Sequence, residues 1–282
     1  LDEHLGHMLE LKSDLSNNTQ KGYETAFKSI KRFCEEKDHN VKMDINKVNL
    51  QFVDEYRIWL VSEAKYAGDT ALKYFVGLGT ALKKAKQYGK LYHNPFDEGV
   101  EYPKSSDEEM VYLTPDEVTR MMKIECRLPL VKDAFMFMIF TGIRSQDCKS
   151  LKWKNLPIID SIVNIQVKTQ KRKTDIFFPI PPQANNYLPK RMGDDDLVFS
   201  NYKTESYHND ALREWALMSD VKKHIVPHTA RHSFSAYMLS KGTPLYTLSK
   251  LLGHTNARTT EDRYGHLSKE DTDKAVRKAF RF

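Results

Sequence analysis

Four short segments in the second half of this sequence hold residue types suited to binding a phosphate ester. The first, Thr141-Gly142-Ile143-Arg144-Ser145-Gln146-Asp147, sets an arginine just past a glycine turn. A guanidinium on a rigid turn offers a planar fork of donors to phosphate oxygens. The plain alternative is a weak surface ion pair with Asp147, three residues on. The second, His228-Thr229-Ala230-Arg231-His232, places His228 and Arg231 three apart on one helical face, where both point at one anion. His228 and His232 also have the spacing of a zinc pair, but Thr229 stands where a metalloprotease helix carries its glutamate. A buried histidine bonded to a carbonyl is the plain alternative here. The third, Leu251-Leu252-Gly253-His254, ends a helix at glycine and leaves His254 at its terminus, ten residues before Tyr264. The fourth, Lys168-Thr169-Gln170-Lys171-Arg172-Lys173, crowds cations between two apolar runs, as either a phosphate clamp or a solvated turn.

These segments need a scaffold, and the pattern supplies one. Lys132 to Phe140 reads as a buried helix, and Ile162 to Val167 and Ile176 to Ile180 as strands flanking the cationic segment. Helices follow at about 208–219, 229–240, 244–252 and 268–280, with Gly242 and Gly253 as ends. The last of these carries Ala275, Val276 and Phe280 as an apolar strip, to pack on its own domain or on a neighbouring copy. The first hundred residues differ. Tyr23, Phe27, Ile30 and Phe33 form one apolar stripe, Phe52, Tyr56, Trp59 and Leu60 a second, and Leu72, Phe75, Leu78, Leu82 and Ala85 a third that stops at Gly89. Short connections between such helices predict a small bundle. Glu101 to Met110 is acidic, with almost nothing apolar, and reads as a linker. Thr114-Pro115-Asp116-Glu117 then starts a helix, with threonine as N-cap and proline at the first position. The expected division is 1–102, a linker at 103–111, and 112–282. The fold class is mainly α with a small β-sheet.

Composition bounds the function. The chain of 282 residues has no apolar run long enough to span a membrane, and its first ten residues carry too many charges for a signal peptide core. Cys34, Cys126 and Cys148 are few and far apart, which argues against a disulfide framework or a cysteine zinc site and predicts a reducing, cytoplasmic setting. Forty-four basic against 38 acidic residues give a formal charge of +6, compatible with a polyanionic partner. Lys21, Lys28, Lys31 and Arg32 form a basic face opposite the first stripe.

The four segments, taken in order, resemble the tyrosine recombinases, especially the integrases of conjugative transposons and prophages. That family shows an arginine in a Thr-Gly-x-Arg turn, a hairpin lysine, a His-x-x-Arg helix, a Leu-Gly-His and a tyrosine shortly after. The matching positions are Arg144, Lys171, His228, Arg231, His254 and Tyr264. Counting back eight from Pro179 selects Lys171, with Lys173 and, more remotely, Lys168 as alternatives. The ten-residue gap before Tyr264 is one more than the commonest family spacing; Thr259-Thr260 before it and Gly265-His266-Leu267 after it follow the family manner. Asn94-Pro95-Phe96 also resembles the family's N-terminal core-binding domain.

The resemblance implies a site-specific recombinase that cuts and rejoins DNA through a 3′-phosphotyrosine, with no metal and no cofactor. It implies double-stranded DNA as substrate, a homo-tetramer on synapsed DNA, accessory DNA-bending proteins, and a bacterial cytoplasm associated with the nucleoid. A tyrosine phenol, with a solution pKa of about 10, attacks and later leaves more readily than an alkyl hydroxyl, so the strand can be rejoined. Arg144 and Arg231 would neutralise the transition-state charge, with His228 and His254 adding bonds. By resemblance Lys171 protonates the departing 5′ oxygen; Asp147, by its i+3 position from Arg144 alone, is expected to support the site from behind. Lys21, Lys28, Lys31, Arg32 and Lys173 are the candidate DNA contacts. A type IB topoisomerase, a cleavage-deficient DNA-binding regulator on the same fold, and a zinc protein using His228 and His232 are the competing readings.

Overall fold

A computed structural model describes residues 1–10, 16–105, 110–169, 174–203 and 206–268. Lys171, Lys173, the middle of the expected linker and the expected helix beyond Ser268 fall outside the described residues. The chain separates into two compact units, Leu1–Glu108 and Glu109–Phe282.

The first unit is helical: α1 (Asp2–Glu10), α2 (Asn17–Glu36), α3 (Leu50–Ile58) and α4 (Gly68–Gln87). The three apolar stripes meet in one core in which Phe27, Ile30, Phe33, Trp59, Phe75 and Leu78 are all buried. The end of α3 widens into a π turn over Trp59–Glu63, and the Trp59 indole there donates to Glu36. The sequence reading did not pick out α1. Its Leu5 and Met8 lie on the face buried against α2 and α4.

The second unit opens with α5 (Pro115–Lys123), whose capping box of Thr114 and Glu117 stands as the sequence implies. Next come α6 (Pro129–Thr141), almost wholly buried, and the short α7 (Ser145–Lys149). A three-stranded antiparallel sheet follows, ordered β1 (Ile158–Ile159), β2 (Ile162–Lys168), β3 (Asp175–Pro179). Strands β2 and β3 pair from Asn164 opposite Pro179 to Lys168 opposite Asp175. The rest is helical: α8 (Pro182–Asn185), α9 (Ser206–Met218), α10 (Pro227–Ser240), α11 (Leu245–Leu251) and α12 (Arg258–Ser268). Helix α10 is the hub, packing on α6, α11 and α12. The element carrying Tyr264 is therefore α12. No helix was expected there, because the segment is polar and, from Arg258 to Gly265, only Thr260 and Tyr264, one turn apart, are buried. Among the described residues, no helix is long and apolar enough to cross a membrane.

Candidate active site

The site is built around Arg231. Its side chain is only 2% exposed, on the face of α10 that looks toward two loop turns. One guanidinium nitrogen, Nη1, donates to the Gly142 carbonyl at 2.8 Å. The other, Nη2, donates to the Leu252 carbonyl at 2.7 Å and lies 3.0 Å from His254 Nε2. A guanidinium has five N–H donors. Three are engaged in this way, which leaves two for a ligand as far as the described residues show. Burial, then the charge of Arg144, pushes the Arg231 pKa down to about 9; Tyr264 and Asp147 pull it back up. At neutral pH it stays a cation.

The two turns that Arg231 joins carry the next two site residues, and each turn depends on a left-handed glycine. Gly142 (φ +67°) caps α6 and lets the chain reverse into Arg144, which precedes α7. A Cβ on Gly142 would lie 2.4 Å from the Phe234 ring of α10, so the turn also lies too close to α10 for any side chain. Arg144 is 13% exposed at its side chain, with Asp147 Oδ2 3.8 Å from its Nη1, and Asp147 itself is buried. The plain ion-pair reading thus holds as a contact, but largely buried instead of on the surface.

Gly253 (φ +62°) ends α11 and delivers His254. Because arginine only donates, His254 Nε2 accepts from it; the ring proton then sits on Nδ1 and donates to Thr260 Oγ1 at 2.7 Å. Thr260 is a site residue that sequence reasoning named only as a neighbour of the tyrosine. A Cβ on Gly253 would lie 3.0 Å from Thr169 Cγ2 and 2.9 Å from Ile176 Cδ1, so the root of the β2–β3 hairpin packs against the turn that carries His254. That root is closed by Thr169 and Thr174, which exchange a backbone bond of 2.9 Å and a hydroxyl bond of 3.1 Å.

His228 and His232 lie one turn apart on α10 with ring centroids 4.6 Å apart and perpendicular planes. His232 Nδ1 lies 2.9 Å from the Tyr264 hydroxyl. Burial, reinforced by His228, Arg263 and Arg231, drives the His232 pKa down to about 3, so the ring is neutral. Tyr264 is 1% exposed, walled by Phe234, Leu239, Leu248 and Leu252. Among the described residues no group of three or more His, Cys, Asp or Glu side chains is placed to hold a metal ion.

Arg144, Arg231, His254 and Tyr264 are thus brought together, with His228 one ring contact from the tyrosine's partner. The structure does not describe Lys171 or Lys173. The first-unit cations lie on the other compact unit, and two of them are already engaged there. Lys31 pairs with Asp2, and Arg32 bonds Glu36 and the Tyr66 hydroxyl while lying over the Trp59 ring. Lys21 and Lys28 are exposed.

The sequence profile of the Phage integrase family matches residues 111–271, and that of the Phage integrase SAM-like domain matches residues 5–103. A tyrosine recombinase of Thermosipho africanus is 24% identical, over 96% of this chain and 99% of that protein. Tyrosine recombinase XerC of Yersinia pestis is 30% identical, over 74% of this chain and 73% of its own length. Among solved structures, a lambda integrase dimer bound to a COC′ core site superposes with a TM-score of 0.75 at 17% identity, covering 93% of this chain and 94% of that one. The Tn1549 transposon integrase in complex with transposon right end DNA gives 0.73 at 16%, covering 99% of each chain.

Proposed function

We propose that this chain, which belongs to the phage integrase family of tyrosine recombinases, cuts and rejoins DNA at specific sites with Tyr264 as its nucleophile. The observation that carries the reading is the Arg231 clamp. One buried cation ties the Arg144 turn to the His254 turn, and the Tyr264 phenol is anchored on the next residue of the same helix.

In the reaction, the phenol oxygen forms a bond to phosphorus and gives up its proton to solvent water while the bond to the 5′ oxygen breaks. Extra negative charge gathers on the nonbridging oxygens, where Arg144 and the unengaged donors of Arg231 meet it. His228 adds a hydrogen bond, His254 holds the Arg231 guanidinium in place through the Nε2 that accepts from it, and Asp147 orients Arg144. The departing oxygen takes its proton from a hairpin lysine. Lys171 is assigned that role and Lys173 a backbone contact, a reading supported by the packing of the hairpin root against Gly253. Two permanent cations supply the charge relief that many nucleases take from metal ions.

Residues 112–282 serve as the catalytic domain and 1–102 as a DNA-binding domain, joined by the linker at 103–111. Lys21 and Lys28 touch phosphates, with Lys31 and Arg32 joining them when they leave their acidic partners. The enzyme integrates or excises a mobile element as a homo-tetramer on two synapsed duplexes, with DNA-bending proteins assisting, in a bacterial cytoplasm. In that assembly we assign a neighbour's tail to an apolar groove of about 1170 Å³ in the second unit, lined by Val118, Met122, Phe140 and Tyr237 among others.

The test is a supercoiled plasmid carrying two copies of the site that the protein selects from a randomised duplex pool. Recombinant products from wild type and none from Tyr264→Phe are expected. Relaxation without exchange would point to topoisomerase action, and no reaction at all would refute the assignment.

A further inference from the structure

The nucleophile of the proposed reaction is held by a residue to which that reaction assigns no task. The Tyr264 ring is enclosed by the side chains of α10 and α11, and its one polar atom meets His232 Nδ1 at 2.9 Å, with the two ring centroids 5.8 Å apart. His232 follows Arg231 directly and lies edge to face with His228. A single helix therefore fixes both the guanidinium and the anchor of the phenol. Relative placement depends on one rigid element, which is how a reactive oxygen is kept within a fraction of an ångström of its target line.

We infer that His232 is a positioning residue: its neutral imidazole accepts the Tyr264 O–H and holds the phenol at the edge of the arginine pocket, ready to turn onto phosphorus. Burial and the cations around it keep the ring neutral at physiological pH. A neutral imidazole nitrogen is a good acceptor, and a phenol is a better donor than acceptor, so the proton lies on the tyrosine side. The same environment makes His232 too weak a base to remove that proton. It orients the nucleophile without ionising it. Its task differs from that of His228, whose side chain faces the phosphate in the proposed reaction.

The inference rests on Tyr264 being the nucleophile, and the experiment separates the two. A nicked suicide duplex carrying the pool-selected site is made in two forms, with oxygen or with sulfur at the bridging 5′ position that wild type cleaves. A thiolate departs without a proton, so defects on the leaving-group side vanish with sulfur while defects on the nucleophile side persist. His232→Ala is expected to form the covalent adduct about tenfold more slowly on both substrates, the worth of one net hydrogen bond, with unchanged duplex affinity. His232→Asn, which keeps an amide where Nδ1 lies, is expected to recover to within about threefold of wild type on the same scale. Wild-type rates for His232→Ala, rescue of that variant by sulfur, or no recovery in His232→Asn would each overturn the inference. Failure of wild type itself to form an adduct at Tyr264 would overturn the underlying assignment instead.

Discussion

Replacing Arg231 by alanine separates two kinds of loss that one side chain controls. In the folded protein it satisfies the Gly142 and Leu252 carbonyls and His254 Nε2 from a position almost closed to solvent. Alanine strips these buried acceptors of their donor, at about 1–3 kcal/mol each, so a stability loss of about 3–5 kcal/mol is expected after partial rehydration of the vacated space. For a unit of this size each kcal/mol moves the melting temperature by about 2–4 °C, which gives a fall of about 10 °C. Cleavage is expected to fall further, by about a thousandfold or more, as an arginine is lost from the transition state. Arg231→Lys keeps the charge but not the fork; it should recover part of the stability and little of the cleavage. Thermal unfolding followed by circular dichroism, and adduct formation on a suicide duplex at a temperature where both variants are folded, read the two losses separately. Normal cleavage by Arg231→Ala, or a melting temperature equal to wild type, would show that this clamp does not organise the site.

Other consequences follow from the same geometry. Because the His232 pKa is depressed to about 3 in the folded protein while an unfolded histidine titrates near 6.5, only the unfolded state gains this proton as pH drops below about 6.5. Stability is therefore lost on acidification, by about 2 kcal/mol between pH 7.5 and 5. Urea unfolding of His232→Asn across that range should show a shallower decline than wild type, and parallel curves would contradict the assigned environment. Gly253→Ala forces a Cβ onto Thr169 and Ile176 at a left-handed φ of +62°. A loss of about 2 kcal/mol and a marked drop in cleavage are expected, measured by the same melting and adduct assays. Among the first-unit cations, Lys21→Ala and Lys28→Ala should each flatten the salt dependence of DNA binding by about one unit of slope. Lys31→Ala, whose charge is already paired with Asp2, should do so less; equal effects in a filter-binding salt titration would remove that distinction.

How far the site was legible in the sequence depends on the range over which each feature is fixed. Arg144 and His254 follow glycines at helix ends, and a local rule about left-handed caps places both. His228 and Arg231 share a face because three-residue spacing on a helix requires it. The start of α5 was equally local, since the Thr114–Glu117 capping box is a four-residue signal. What escaped was tertiary. His232 was visible only as a zinc-spaced neighbour of His228; its bond to a tyrosine 32 residues away needs α10 and α12 to be packed together. From Arg258 to Gly265, helix α12 buries only Thr260 and Tyr264, too few to show periodicity, and the role of Thr260 depends on the tautomer that Arg231 imposes on His254. In α1, by contrast, Leu5 and Met8 carry a readable pattern, set among the charges of Asp2, Glu3 and Glu10 that flank it.

The most direct test of the account is to map the covalent link itself. Wild-type protein trapped on a suicide duplex, then digested with nuclease and protease, should yield one peptide bearing a nucleotide 3′-phosphate on Tyr264. A modified Tyr237 or Tyr246, both exposed on the same unit, or no modified peptide at all, would contradict it.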